Sequence, residues 1–291
     1  GYPLRTSPPP AMESYAGSAA YLEGAVDPEH GDGFIAAAAV GDLDGDGRPE
    51  VVGATIAGAL YAWSDGVLRD GFPSWTIGRE PEEFDGDDVW DDGYWAAPTL
   101  VDLDGDGGLE ILAAAMDGRL YAVDHAGRDV GPYPVEVCHP DNCGQHGAPI
   151  VCSPAVGDAD GDGDLDIALG SNESTEDARF SVSFLLDAGT GEPLSGWPRE
   201  TQGLVGEASL IPIVGEGHPA SLSLADVDGD GDLEIADTVF LAHTDLLHHD
   251  GTEVYPLAHF ADEYGDDANT NEPSLVHFSE HPVFGDLTGD G

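Results

Sequence analysis

Val40-Gly41-Asp42-Leu43-Asp44-Gly45-Asp46-Gly47-Arg48-Pro49-Glu50 decides the fold, because the chain repeats it. It returns as Val101-Asp102-Leu103-Asp104-Gly105-Asp106-Gly107, as Val156-Gly157-Asp158-Ala159-Asp160-Gly161-Asp162-Gly163 and as Ala225-Asp226-Val227-Asp228-Gly229-Asp230-Gly231. A fifth copy, Gly285-Asp286-Leu287-Thr288-Gly289-Asp290-Gly291, stands at the end of the sequence. The first aspartates of the five copies are 60, 56, 68 and 60 residues apart. A second marker keeps the same interval: an aromatic–proline pair at Tyr2-Pro3, Phe72-Pro73, Tyr133-Pro134, Trp197-Pro198 and Tyr255-Pro256. Two unrelated markers in phase are the mark of a repeat architecture.

Each repeat reads as four short strands. In the second, Tyr94–Val101 leads into the acidic stretch and Leu109–Ala115 leaves it, followed by Arg119–Asp124 and Tyr133–Val137. Glu50–Thr55, Ala59–Ser64, Leu165–Ser171, Val182–Asp187 and Leu233–Val239 fill the same places elsewhere. Apolar or alternating runs of this length, punctuated by many of the 41 glycines and 21 prolines, suit buried and half-buried strands. The fold class predicted is all-β: a β-propeller of four-stranded antiparallel blades, with four complete repeats and partial blades at both ends. A β-solenoid or a string of sandwiches is the alternative. Blades are expected over residues 34–78, 94–137, 150–201 and 218–258. Residues 1–33 read as the tail of a preceding blade and linker, and 281–291 as the truncated start of the next. Insertions fall at 79–93, which is acidic, at 138–149, which holds cysteines, and at 202–217 and 259–280. Each aromatic–proline pair is expected on an outer edge strand, where a missing N–H does no harm.

The acidic stretches have metal-ligand spacing. Asp42, Asp44, Asp46 and Glu50 occupy positions 1, 3, 5 and 9, with the Arg48 carbonyl at position 7 and Gly47 supplying the turn at position 6. The second loop offers Asp102, Asp104, Asp106, the Gly108 carbonyl and Glu110; the third Asp158, Asp160, Asp162, the Asp164 carbonyl and Asp166. The fourth offers Asp226, Asp228, Asp230, the Asp232 carbonyl and Glu234. The fifth has Asp286 and Asp290 with Thr288 between them. Oxygen ligands in this number suit Ca²⁺, about one ion per complete repeat, better than the tighter octahedron of Mg²⁺. An EF-hand is excluded: position 12, where it needs a bidentate Glu, is Gly53, Ala113, Leu169 and Asp237, and the flanks are strand-like. The bland alternative is a solvated acidic turn.

These loops resemble the FG-GAP and VCBS repeats of integrin-α-like β-propellers, which carry Asp-x-Asp-x-Asp-Gly-x-x-Asp between the first two strands of a blade. The resemblance spans about Phe34 to Gly291. Three loops depart by ending in Glu, and only Phe284-Gly285 shows the Phe-Gly of the name. It implies calcium-pinned blades, with no integrin ligand implied.

Charge bounds the partners. There are 58 acidic residues against 8 basic ones, all arginine, for a net charge of −50. Such a surface repels nucleic acid and anionic membranes and favours cations; a halophilic habitat is the competing explanation. The side-chain ligand positions of the four complete loops take 16 of the 58 carboxylates. No apolar run is long enough to span a membrane. Of three cysteines, Cys138 and Cys143 form the candidate disulfide, and a zinc site from Cys138, His139, Cys143 and His146 is the alternative. His243, His248 and His249 read as strand or turn residues, and Asn172-Glu173-Ser174 as a glycosylation sequon within an insertion at Asn172–Phe180. No Ser/His/Asp arrangement is legible.

These features predict a secreted or cell-surface protein, a calcium-stabilised propeller acting as a non-catalytic binding, adhesion or assembly module for a protein or glycan ligand. Two rivals remain: the propeller of a secreted polysaccharide lyase or hydrolase, and a self-assembling subunit of a surface filament. The calcium loops are expected on one face and the insertions, where ligand recognition usually lives, on the other.

Overall fold

The computed structural model describes residues 33–76, 93–141, 143, 148–174, 179–201, 218, 220–238, 244–254 and 282–285. The chain divides into two compact units, Gly1–Val137 with Cys143–Val151, and Cys138–Asn142 with Cys152–Gly291. The described residues are all-β, with no helix and so none able to cross a membrane.

The first unit holds two sheets. One comprises β1 (Ala39–Gly41), β2 (Glu50–Ala54), β3 (Ala59–Ser64), β4 (Val67–Leu68) and β5 (Ser74–Trp75); the other β6 (Thr99–Val101), β7 (Glu110–Ala114), β8 (Arg119–Val123) and β9 (Val135–Glu136). In the second unit β10 (Ala155–Gly157), β11 (Asp166–Ser174), β12 (Arg179–Asp187) and β13 (Arg199–Thr201) form one sheet, and β14 (Ser223–Ala225), β15 (Glu234–Thr238) and β16 (Thr244–Leu247) another. Every pairing is antiparallel and the strand order follows the chain, as in a propeller blade.

Sequence chemistry explains the layering. The second and third strands are short apolar runs, and β7 and most of β8 are buried throughout, whereas β1 and β6 are only partly covered. In the first unit Leu43, Val52, Leu60, Tyr94, Ile111 and Tyr121 share one cluster, packed between its two sheets. Ala168, Leu185, Trp197, Leu222, Ile235 and Leu247 do the same in the second unit. Each such aliphatic or aromatic side chain contributes about 1.5–3 kcal/mol by leaving water.

Several elements differ from the sequence reading. The strand expected over Tyr94–Val101 shrinks to Thr99–Val101, because Pro98 has no N–H to donate and the Tyr94 N–H is taken by the Thr55 carbonyl of the neighbouring sheet at 2.9 Å. The strand expected at Tyr133–Val137 is Val135–Glu136. The stretch expected as an insertion at Asn172–Phe180 is in part strand: β11 runs on to Ser174 and β12 starts at Arg179, the two being paired, and residues 175–178 lie outside the described residues. Asn172 is buried and its Oδ1 accepts the His218 N–H at 2.7 Å, so the sequon is closed to a sugar in the folded chain.

The outer edge of each of the first three blades is broken in two. In the first, β4 pairs with the end of β3 and β5 with its beginning. Isolated bridges at Val123↔Asp129, Leu186↔Pro193 and Leu247↔Glu253 mark the same first piece in the second, third and fourth. Between the pieces a turn closes from the aromatic N–H of Phe72, Tyr133 and Trp197 to the carbonyls of Arg69, Val130 and Leu194. The peptide bonds into Pro73, Pro134 and Pro198 are cis. The three pairs thus lie on the outer edge, between its two pieces, with their aromatic side chains buried. Gly71 and Gly196 precede two of them for a steric reason: with φ near 92° and 98°, a Cβ would lie 1.9 Å from the Ala126 oxygen and 2.0 Å from the Asp250 oxygen. Tyr2-Pro3 and Tyr255-Pro256 lie outside the described residues, as do most of the insertions at 79–93, 202–217 and 259–280.

Candidate metal centres

The acidic stretches are the hairpin loops joining the first two strands of each sheet, all in one register. Gly41 pairs with Glu50, Val101 with Glu110, Gly157 with Asp166 and Ala225 with Glu234. The residue before the first aspartate therefore faces the last acidic one, and the eight residues between must loop out. Each loop is closed by its own amides. The position-2 N–H donates to the position-9 carboxylate in all four: Leu43 to Glu50 at 2.9 Å, Leu103 to Glu110 at 2.8 Å, Ala159 to Asp166 at 2.9 Å and Val227 to Glu234 at 2.7 Å. The position-1 carboxylate accepts from the glycine turn, as Asp42 does from Gly47 at 2.8 Å and Asp102 from Gly107 at 3.1 Å. Neighbouring loops are also tied within each unit, Leu109 N–H to the Leu43 carbonyl at 3.1 Å and Leu233 N–H to the Ala159 carbonyl at 2.9 Å.

The loops bring carboxylates together. One oxygen each from Asp42, Asp44 and Glu50 lies within 4.8 Å of the others, and Asp102, Asp104 and Glu110, like Asp158, Asp160 and Asp166, repeat the arrangement. The position-5 residues Asp46, Asp106 and Asp162 stand outside these clusters, each accepting the N–H two residues on, from Arg48, Gly108 and Asp164, at 2.7–2.9 Å. The fourth loop gathers Asp228, Asp230, Asp232 and Glu234, with Asp226 outside the cluster. Asp232, expected to offer its carbonyl, brings its carboxylate. Asp286 and Asp290 lie outside the described residues.

Three basic side chains reach the loops, none of them expected there from the sequence. Arg69 sets its guanidinium 2.7 Å from Asp44 Oδ2 and 2.9 Å from Glu50 Oε1. His248 Nδ1 lies 3.2 Å from Glu234 Oε1, and His249 contacts Asp232. The two histidines sit at a hairpin turn as expected, but at the mouth of the fourth loop; His243 lies outside the described residues. Their signal in the sequence is position: residues just past the third strand fold back over the loop that precedes the second.

Electrostatics separates the loops. Arg69 holds the Asp44 carboxyl below its ordinary range by hydrogen bond and charge. Burial pushes Glu110 up, and Asp104, Asp106 and Asp102 add repulsion. Asp166 is pushed up to about 6 by burial, with Asp160 and Asp162 adding to it. A carboxylate raised by burial and like charge is short of a cation. Asp158 Oδ1 makes the same point, buried with no hydrogen-bond partner. The donors of the second and third clusters are all carboxylate oxygens, which fits a hard ion such as Ca²⁺.

Cys138 and Cys143 are disulfide-bonded and Cys152 is a buried free thiol, which leaves no thiolates for the zinc alternative. A Ser/His/Asp group absent from the sequence reading does form: Ser183, His218 and Asp237, all fully buried. It is no nucleophilic relay, since Ser183 Oγ donates to Asp237 Oδ2 and both residues crowd one ring nitrogen, His218 Nε2.

The described residues thus define a class: acidic-loop β-propeller blades, with the acidic hairpin between the first two strands. No family model matches the chain, and no curated protein matches it. Among solved structures it is similar to BBS1N in complex with ARL6DN, soaked with lead, at 10% identity and TM-score 0.46, covering 77% of this chain and 57% of that one. The Pseudomonas aeruginosa PilY1 C-terminal domain follows at 12% identity and TM-score 0.38, over 74% of this chain and 48% of that one. BamB from Moraxella catarrhalis is similar at 15% identity and TM-score 0.31, over 78% and 64%. The chain spans little more than half the length of BBS1N.

Proposed function

We propose that this chain is a calcium-stabilised β-propeller module of the FG-GAP/VCBS type, acting outside the cell as a non-catalytic binding, adhesion or assembly element. The observation that carries the reading is the shared register of the four hairpins, each converging at least three carboxylates that would repel one another without a cation. Calcium would be held by Asp102, Asp104 and Glu110 in the second loop and by Asp158, Asp160 and Asp166 in the third. Its role is structural, holding loops that charge would open. Sites of this extracellular kind bind calcium at about 10⁻⁴–10⁻³ M. The surface stays strongly acidic with every loop filled, which favours a basic protein patch or a neutral glycan as partner.

Thermal unfolding in millimolar calcium, in excess chelator and in magnesium at equal ionic strength tests the reading. A calcium-selective rise in melting temperature is expected. An equal rise with magnesium, or none, would reduce the loops to ordinary acidic turns.

A further inference from the structure

The two units treat one position differently. Eight residues before the first aspartate of the second, third and fourth loops stand Tyr94, Ile150 and His218. Tyr94 and Ile150 are fully buried plugs whose N–H groups dock on the carbonyls of Thr55 and Ala115. His218 is equally buried, and its N–H docks on the Asn172 side chain. Its ring lies over Gly170, where a Cβ would come within 2.2 Å of it.

A packing role alone gives no reason for a histidine here, since an apolar plug serves two other repeats and a buried ion pair is often no more stabilising than apolar packing. What the ring faces is informative. Nε2 lies 2.9 Å from Asp237 Oδ1 and 3.1 Å from Ser183 Oγ, whose own hydrogen goes to Asp237 Oδ2. Nδ1 lies 3.4 Å from the Ser171 carbonyl. Both ring nitrogens therefore face acceptors. A neutral imidazole carries one proton and would turn its remaining lone pair on a carboxylate or a carbonyl. Only the imidazolium satisfies both sides.

We propose that the Ser183–His218–Asp237 cluster is a pH-operated latch. Protonated His218 ties β11 and β12 to Asp237 of β15, and loss of that proton at higher pH loosens the contact between the two sheets of the second unit.

Among the described residues, Asp237 is the carboxylate that faces the ring. β11 and β12 bring the Ser171 carbonyl, Asn172 and Ser183, which do not titrate. Cys152 lies on the other side of Gly170, hydrogen-bonded to that residue's N–H and carbonyl at 3.2 Å, and burial pushes its thiol up to about 12, so it stays neutral. Burial opposes charge on His218 itself, but Asp237 outweighs it and raises the histidine above its ordinary range. The sign follows. A histidine raised in the folded state contributes its full stability below the unfolded value of about 6.5 and loses it as pH climbs through the folded value.

The test keeps calcium saturating, so that the acidic loops contribute alike at every pH. Nitrogen NMR of the imidazole rings in the wild-type protein, from pH 5 to 9, should show one slowly exchanging ring still doubly protonated at pH 7. Melting temperature should fall between pH 7 and 9, each unit weakening the folding equilibrium by up to about tenfold. Asp237→Asn and His218→Gln should both flatten that slope. A buried ring already neutral at pH 7 would overturn the latch, as would an identical slope in Asp237→Asn. Should both variants fail to fold, the ring titration in the wild type decides alone.

Discussion

The first and second acidic loops share one motif, one register and one compact unit, and they answer the same electrostatic problem in different ways. In the first, Arg69 reaches back from the outer strand to Asp44 and Glu50, a protein cation set among the carboxylates. In the second, no arginine or histidine among the described residues touches Asp102, Asp104, Asp106 or Glu110, and Glu110 is buried beside three other carboxylates. The difference teaches that one acidic motif specifies a shape, while neighbours from later in the blade decide what offsets its charge. The first loop carries its own counter-ion in Arg69; the carboxylates of the second have no basic neighbour among the described residues.

Glu50→Ala in the first loop should break the comparison most severely. Glu50 is fully buried, and its loss leaves the Leu43 N–H without its acceptor and Arg69, only 16% exposed, with Asp44 as its remaining partner, at a cost of about 2–3 kcal/mol. That cost should be the same in calcium and in chelator. Glu110→Ala removes a carboxylate with no basic partner, so beyond the loss of the Leu103 N–H acceptor, which has its counterpart in Glu50→Ala, its cost should be larger in calcium than in chelator. Denaturant titrations of both variants under both conditions check the pair. Equal calcium dependence would mean that Arg69 is no substitute for the ion.

Arg69→Gln should have the next largest effect. It removes the internal cation and exposes the first loop's demand, so the variant should be less stable in chelator and should recover more in calcium than the wild type. At calcium ten times the dissociation constant, one added site is worth about 1.4 kcal/mol. Calorimetry should count one more bound ion than in the wild type. An unchanged count would show that the wild-type loop already binds calcium beside Arg69.

Much of this was legible from residues alone, for identifiable reasons. The strand-loop-strand hairpins follow from a motif with fixed offsets flanked by apolar runs, so Glu50–Ala54 and Glu110–Ala114 fall within the expected strands. The convergence of positions 1, 3 and 9 in the first three loops follows from the register that pairs the residue before position 1 with position 9, as Gly41 with Glu50. Arg69 was not legible as a partner, because it lies 25 residues from Asp44 and meets it only once the outer strand turns back. The length of β11 and β12 was hidden by polar Ser171, Asn172 and Glu173, which look like a loop but pair strand to strand. His218 belongs to no motif; it stands out only beside Tyr94 and Ile150 at the same repeat position.

The pH response of the chelated protein should separate the loops by sign, with a smaller effect. Asp166 in the third loop, pushed up to about 6, holds a proton in the folded state that the unfolded chain releases near its ordinary value of about 3.9. Protons bound by the folded state mean that stability falls as pH rises through that window. Asp44 in the first loop is lowered by Arg69 and works oppositely: its contribution is present above the ordinary carboxylate value and lost as pH falls. Asp166→Asn should therefore flatten the acid-side slope in chelator, whereas Arg69→Gln should steepen it. Because the His218 window lies above 6.5, the two slopes are read in different pH ranges.

Arg48→Ala should change least, and for that reason it tests what the first loop uses. Arg48 occupies position 7, where the motif calls for a backbone carbonyl. Its side chain pairs with Asp65 at 3.1 Å, but the two are 68% and 78% exposed. Exposed pairs of this kind are worth at most about 1 kcal/mol and often nothing measurable. The substitution keeps the carbonyl and removes only the charge, so stability and calcium affinity should both hold within error. A clear gain in calcium affinity would mean that Arg48, as well as Arg69, competes with the ion through long-range charge. In that case the contrast between the two loops would rest on the summed field of nearby arginines, with the Arg69 ion pair only one part of it.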